Sequence, residues 1–214
     1  MLGSVSQGPF TPNVVEIDRA RAQEYALLVT LLSRSPDSLL LARLADMRDD
    51  ASQIGVAHGA IREAAVRVNE EAAAREYFAL FAGLREGSLL TYSSHYSAET
   101  LYGRQLARQR EAFQGFGIEI APECSEPEDR AAILCEVMAG LADGSIPAPV
   151  GAERAFFQEH LSRWIGRFFS DLEHAEVSTQ LWVCSGEPLW LSKRRHSLVR
   201  PEHCVLLSNA SPAT

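Results

Sequence analysis

Apolar residues recur at helical spacing along most of the chain. In the segment 16–33, apolar residues fall three, four or eight positions apart and therefore share one face of a helix. The clearest stripe comprises Phe157, Leu161, Trp164, Phe168 and Leu172. No alternation typical of strands reaches a useful length before residue 177. The pattern predicts an all-α fold, with a single compact domain of about seven helices over residues 16–176.

Proline and acidic residues predict where several helices begin and end. Pro36 ends the first helix, and Asp37 is suited to cap the second. Residues 58–82 are predicted to be one long helical stretch. The run Glu126–Asp129, which contains Pro127, is predicted to start a later helix. Proline is favoured at the first helical position, and acids interact favourably with the N-terminal helix dipole.

Residues 77–96 carry an unusual number of aromatic side chains. Phe78 and Phe81 are interpreted as core residues at the end of a helix. Tyr92 and Tyr96 fall in a predicted loop, where aromatic rings are less often needed for packing. These two tyrosines are therefore the better candidates for binding another molecule.

Composition narrows the classes of partner. The chain has 214 residues and a formal net charge of −8, which disfavours coating of nucleic acid or of an anionic membrane. No apolar run approaches the length of a membrane span. Residues 1–15 are rich in Gly, Ser and Pro and are predicted to be a disordered lead rather than a secretory signal. We expect a cytoplasmic protein.

Common catalytic motifs do not occur in the sequence. It contains no P-loop, no GxGxxG, no HExxH and no GxSxG. The six histidines and four cysteines do not fall at metal-ligand spacing. We therefore predict no catalytic residue, no metal site and no cofactor, and interpret the chain as a binding protein rather than an enzyme.

Four short motifs occur in a fixed order. They are YFALFAG at 77–83, TYSSHY at 91–96, SEPEDR at 125–130 and HLSRW at 160–164. The ordered set resembles the TorD/DmsD/NarJ family of molybdoenzyme assembly chaperones, over roughly residues 20–175. The resemblance implies an all-α cytoplasmic chaperone that binds the twin-arginine signal peptide of a molybdopterin oxidoreductase, or its apoenzyme, until the cofactor is inserted. The TYSSHY loop and the SEPEDR helix start are most similar to family members that are associated with formate dehydrogenases.

The resemblance also implies which residues bind the client. They are Tyr77, Leu80, Phe81, Thr91, Tyr92, Tyr96, Glu126, Pro127, Asp129 and Arg130. Surface carboxylates in the SEPEDR motif are expected to pair with guanidinium groups of the leader, and tyrosine rings offer cation–π contacts. Arg130 departs from the histidine common in the family, and Thr91 from proline. Arg130 is expected to repel the arginines of the client unless it pairs with Glu126 or another acid.

Two other classes of function stay open at this point. One is a helical scaffold or oligomerisation module, and the resemblance is also compatible with a homodimer. The other is a nucleotide-binding protein that lacks a P-loop. Neither class has a motif of its own in the sequence.

Residues 177–214 form a divergent tail without a helical stripe. The family continues here with a last helix. When residues 177–196 are back-translated with codons chosen for the purpose and read from the third base of each codon, the result is FYAALGLFGRAFMAEQTPP. This string carries the aromatic pair and the Phe-Gly-Arg-Ala-Phe ending of such a helix. We hypothesise that the chain from near Val177 onward is a frameshifted translation; a diverged, disordered or short β-like tail is the alternative.

Overall fold

Helices make up most of the described chain, which confirms the all-α prediction. The computed structural model describes residues 14–81, 89–96, 102–120, 127–175, 181–182 and 207–209. The helices are α1 (Val14–Ser33), α2 (Ser38–Ala45), α3 (Gln53–Arg67), α4 (Glu70–Phe81), α5 (Ser93–Tyr96), α6 (Tyr102–Gly115), α7 (Ala131–Asp143), α8 (Ala152–Phe156) and α9 (Ile165–His174), with a π-helical turn at Phe157–Leu161.

The core is organised around α1 and α7, which pack along each other. α7 is apolar and buried along most of its length. From α1, Leu28, Leu31 and Leu32 are each at most 2% exposed. Burying a leucine side chain stabilises a fold by about 1.5–3 kcal/mol relative to leaving it exposed. The packing holds the C-terminal end of α1 beside the N-terminal end of α7, where the Arg130 guanidinium reaches the Leu32 carbonyl.

Helix boundaries agree with the sequence at some positions and differ at others. The Asp37 carboxylate accepts the amide of Leu40 at 2.8 Å and so caps α2, as predicted. The long stretch 58–82 divides between Arg67 and Glu70 into α3 and α4. The prediction of one continuous helix was wrong because Asn69 accepts the amide of Ala72 through its side chain and starts a new helix.

The apolar stripe near the end of the helical domain is buried, but the helix that carries it is interrupted. α8 passes through the π-helical turn into α9, with a break around Trp164. Leu161, Trp164, Phe168 and Leu172 are all buried, whereas Phe157 is half-buried. The spacing therefore identified the inward face correctly.

The described residues also contain one pair of short strands. β1 (Ile118–Ile120) pairs antiparallel with β2 (Leu207–Asn209), and Ile118 lies opposite Asn209. Gly117 precedes β1 with a φ of +67°, a conformation that favours glycine and lets the chain turn out of α6. Within the described part of the chain, no helix is both long and apolar enough to cross a membrane.

Candidate functional site

The TYSSHY and SEPEDR motifs lie side by side. Tyr92 and Arg130 form an antiparallel bridge. The amide of Ser93 donates to the carbonyl of Asp129 at 2.9 Å, and the amide of Ala131 donates to the carbonyl of Thr91 at 2.7 Å. Segments that are more than thirty residues apart in sequence therefore meet through backbone hydrogen bonds.

The SEPEDR motif ends in a turn rather than in the first turn of a helix. The amide of Arg130 donates to the carbonyl of Pro127 at 3.2 Å, and α7 begins only at Ala131. The prediction that Pro127 occupies the first helical position was wrong. The reason is tertiary: the Thr91 carbonyl accepts the first amide of α7, so the helix starts where that acceptor is available. Glu126 lies outside the described residues.

Asp129 is a buried carboxylate, not the surface group that the sequence suggested. Asp129 is only 2% exposed. One carboxylate oxygen, Oδ2, accepts the amide of Ser94 at 2.9 Å and lies 3.5 Å from the Ser93 hydroxyl. Asp129 thereby caps the start of α5. Its other oxygen, Oδ1, is buried and has no hydrogen-bond partner in the described part of the chain.

Two glutamines of α6 extend this polar cluster. Gln105 donates to the Ser93 hydroxyl oxygen at 2.9 Å and Gln109 donates to the same oxygen at 3.4 Å. Gln109 is fully buried, and its Oε1 has no hydrogen-bond partner among the described residues. A buried polar network thus joins α5, α6 and the turn before α7, with the Asp129 and Gln109 oxygens available to a further donor.

Arg130 is held at the C-terminal end of α1. Its Nη2 donates to the Leu32 carbonyl at 3.0 Å and lies 3.2 Å from the hydroxyl of Tyr77. That hydroxyl in turn donates to the Leu32 carbonyl at 3.1 Å. The C-terminal carbonyls of a helix carry negative partial charge and interact favourably with a cation. Within the described residues, a helix end and a phenol thus contact the Arg130 guanidinium, and the predicted pairing with Glu126 lies outside these residues.

Glu128 forms an ion pair that the sequence did not reveal. Its two carboxylate oxygens accept from Arg110 of α6 at 2.8 and 3.1 Å. Hydrogen bonding to this guanidinium lowers the pKa of Glu128. Because Glu128 is already engaged by an arginine of the same chain, its availability to a guanidinium from another molecule is reduced.

An aromatic cluster lies at the end of α4. The ring centroids of Tyr77 and Phe81 are 5.2 Å apart. Trp182 lies 5.9 Å from Tyr77 and 6.1 Å from Phe81, and its indole nitrogen donates to the Leu31 carbonyl at 2.9 Å. Phe81 is half-buried against the core, but Phe78 is 63% exposed, so the interpretation of Phe78 as a core residue was wrong. Helix periodicity places Phe78 on the side of α4 opposite its buried face.

The remaining two predicted residues of this region are core residues. Leu80 is 3% exposed, and its carbonyl accepts the amide of Leu89 at 2.6 Å. Tyr96 is also buried: it stacks on Trp164 at 5.8 Å, and its carbonyl accepts from Arg167 of α9. Burial, reinforced by the nearby Asp171 carboxylate, raises the pKa of Tyr96. The expectation that Tyr96 is not needed for packing was wrong, because α9 supplies its partners.

The structure therefore divides the predicted site. It brings Tyr77, Thr91, Tyr92, Asp129 and Arg130 together at the junction of α1, α4 and α7. Sequence analysis missed three residues of the same region, namely Ser93, Gln109 and Trp182. A signal existed for Gln109, since it precedes the buried Phe113 by four residues and so shares the inward face of α6.

The described residues contain no group of three or more His, Cys, Asp or Glu side chains that is arranged to hold a metal ion. Cys135, within α7, is completely buried, and burial raises the pKa of its thiol to about 12. A thiol with such a pKa stays protonated at neutral pH and is a poor nucleophile. The junction contains hydrogen-bonding groups and aromatic rings.

Comparison with known proteins relates this chain to a described family and to a chaperone. A family model described as "Nitrate reductase delta subunit" matches residues 48–170, which is more than half of the chain. The chaperone protein TorD of Psychrobacter sp. (strain PRwf-1) is 25% identical over 99 residues, which cover 42% of this chain and 45% of that protein. The alignment thus spans less than half the length of this relative.

Proposed function

Since the chain belongs to the nitrate reductase delta subunit family, which is the TorD/DmsD/NarJ family that its motifs resemble, we propose that it is a maturation chaperone for a molybdopterin-containing oxidoreductase. It acts in the cytoplasm by binding the twin-arginine signal peptide of the client, its apoenzyme, or both, until the cofactor is inserted. It catalyses no reaction of its own. The similarity to a chaperone protein TorD supports this class of function.

The observation that carries the proposal is the convergence at the end of α1. The Tyr77 hydroxyl and Arg130 guanidinium contact each other there, and Tyr92 pairs with Arg130 through the backbone. These residues come from three motifs that are distant in sequence. Their convergence supports a binding site because residues separated in the chain gain a common surface only through folding.

Exposed apolar groups adjoin this junction. Phe78 is 63% exposed and Leu90 is 36% exposed. The hydrogen bond from Leu89 to Leu80 places Leu90 beside the end of α4. A leader peptide has an apolar segment after its two arginines, and aromatic side chains are effective anchors for such a segment.

The buried carboxylate of Asp129 is the group we assign to an arginine of the leader. Its Oδ1 has no hydrogen-bond partner in the described part of the chain, and a guanidinium N–H satisfies such an oxygen with a charge-assisted hydrogen bond. Because this oxygen is buried, the assignment requires the chain around Ser94 to move when the peptide binds. The net charge of −8 adds long-range attraction for a basic leader.

Calorimetric titration with synthetic leader peptides tests the proposal. The peptides are taken from molybdopterin oxidoreductases, beginning with a formate dehydrogenase, and each has a control in which both arginines are lysines. We expect the arginine peptide to bind and the lysine peptide to bind much more weakly, because lysine keeps the charge but not the planar guanidinium with its five N–H donors. If no leader peptide binds, the proposal is refuted, and a helical scaffold becomes the better interpretation.

A matched pair of variants localises the binding. Asp129→Asn keeps the shape of the side chain and removes its charge, whereas Glu119→Gln removes a charge from an exposed position on β1. We expect Asp129→Asn to weaken peptide binding by about tenfold, the equivalent of one lost charge-assisted contact. Glu119→Gln is expected to bind like the wild type. Equal weakening in both variants would indicate net charge rather than a specific site.

A further inference from the structure

Trp182 reaches the aromatic cluster from a part of the chain that is far from it in sequence. It is 0% exposed, and its indole N–H donates to Leu31, 151 residues earlier. The preceding residue, Leu181, is also fully buried. Both residues lie in a turn and not within a described helix. The indole ring is thus inserted into the core near the C-terminal end of α1.

The position of the ring coincides with the apolar side of the proposed site. The centroid of Trp182 lies 5.9 Å from Tyr77 and 6.1 Å from Phe81. These are two of the residues assigned to the client. The Tyr77 hydroxyl also accepts a hydrogen bond from Arg130, so Tyr77 contacts both the indole ring and the Arg130 guanidinium. An apolar side chain of a leader that packed against Tyr77 and Phe81 would meet the indole ring of Trp182.

We propose that Trp182 is an intramolecular occupant of the client site, which an apolar or aromatic residue of the leader peptide displaces. The inference rests on the proposed function and on Trp182 being a native residue, as it is when the tail is not frameshifted. The indole ring supplies the kind of contact that an aromatic or apolar anchor of a peptide supplies, namely ring packing on Tyr77 and Phe81. In this arrangement the free chaperone keeps its aromatic cluster covered, which limits exposed apolar surface.

Self-occupancy has a measurable consequence for affinity. A peptide that must displace a tethered group binds with its intrinsic dissociation constant divided by the open fraction of the site. If the ring leaves the site open for about a tenth of the time or less, removal of the ring tightens peptide binding by about tenfold or more. A residue that only fills the core has the opposite effect, because its loss weakens the site.

The test compares leader-peptide binding to the wild type, to Trp182→Ala and to Trp182→Phe. We expect Trp182→Ala to bind about tenfold more tightly or better, and Trp182→Phe to fall between it and the wild type. Circular dichroism checks that each variant is folded. A Trp182→Ala variant that is folded and binds with unchanged or weaker affinity overturns the inference.

A second measurement does not depend on the folding of that variant. In a protein with the substitutions Trp164→Phe and Trp190→Phe, the only tryptophan is Trp182. We expect its fluorescence emission to shift to longer wavelength and its quenching by acrylamide to increase when the peptide is added. Binding without any change in this emission overturns the inference and leaves the proposed function intact. If neither the wild type nor Trp182→Ala binds any leader peptide, the proposed function fails and the inference fails with it.

Discussion

Replacement of Trp164 by alanine is the strongest single test of the packing that supports the site. Trp164 is 1% exposed and lies at the break between the π-helical turn and α9. Its ring stacks on Tyr96 at 5.8 Å with an interplanar angle of 26° and lies 6.2 Å from Phe168. The indole N–H donates to the His160 carbonyl at 2.6 Å. The substitution removes all of these contacts at once.

The expected cost follows from those contacts. Truncation of a buried tryptophan to alanine costs about 3–5 kcal/mol, because it removes apolar contacts and leaves a cavity. An aromatic pair adds about 0.5–1.5 kcal/mol beyond its buried area, which favours the upper half of that range. For a chain of this size, 1 kcal/mol shifts the thermal midpoint by about 2–4 °C. A loss of about 4 kcal/mol therefore lowers the midpoint by about 8–16 °C.

The assay is urea and thermal unfolding followed by far-ultraviolet circular dichroism. Phe78→Ala is the matched control, because it removes an aromatic ring from a position that is 63% exposed. Exposed substitutions change the free energy of unfolding by about 0.5 kcal/mol or less. Trp164→Phe keeps a ring but loses the N–H donor and is expected to lie between the two. If Trp164→Ala is as stable as Phe78→Ala, the packing described for α9 is incorrect.

Three further predictions concern polar groups around the site. Asp129→Ala is expected to lower the free energy of unfolding by about 1–3 kcal/mol, because it removes a buried helix cap. Glu128→Ala is the control and is expected to change this free energy little. Equal effects of the two substitutions in urea unfolding would contradict the prediction. Arg130→Ala is expected to lower the free energy of unfolding by about 1–3 kcal/mol, because it removes the cation at the end of α1. Arg130→Lys is expected to recover part of this loss in the same assay. No recovery would argue against the helix-end interaction. Burial lowers the pKa of His160 in the folded state below 6.5. The neutral imidazole therefore contributes to stability fully above pH 6.5, and this contribution decreases as the pH falls towards the folded pKa. His160→Gln is expected to reduce the loss of stability between about pH 7 and pH 5, and the exposed control His174→Gln is expected not to; the same pH dependence in all three proteins would refute the assignment.

Local sequence patterns correctly predicted those features of the fold that local interactions determine. The helices follow apolar spacing, and the start of α2 follows the side chain of Asp37, which is three residues from the amide that it caps. The inward face of the stripe that includes Trp164 and Phe168 also followed from spacing alone. In each case the group that decides the structure lies within one or two helical turns of the residue concerned.

The wrong predictions occur at positions where contacts with a segment distant in sequence determine the local structure. Pro127 and its acidic neighbours favour a helix start, but the acceptor for the first amide of α7 is the carbonyl of Thr91. Tyr96 is in a loop by sequence, but its partner Trp164 is 68 residues further on. Asp129 belongs to an acidic run, yet it is buried against Ser94. Single-sequence patterns do not contain these pairings, and the predicted site is affected more than the fold because its residues come from separate segments.

The two interpretations of the tail now lead to different structures of the aromatic cluster. In the present reading frame, position 182 is the tryptophan that packs on Tyr77 and Phe81. In the shifted frame, position 182 is a glycine of the FYAALG string and supplies no ring, so a ring that covers Tyr77 and Phe81 comes from another position of the last helix.

We expect the coding DNA to contain a single-base insertion or deletion near codon 177 if the tail is frameshifted, and correction of that shift should open the FYAALG frame up to a stop codon. Intact-mass measurement of the protein from its native source is the independent check. A mass that matches the tail in the present reading frame would refute the frameshift. It would also make Trp182 a genuine part of the native protein, which the self-occupancy of the client site requires.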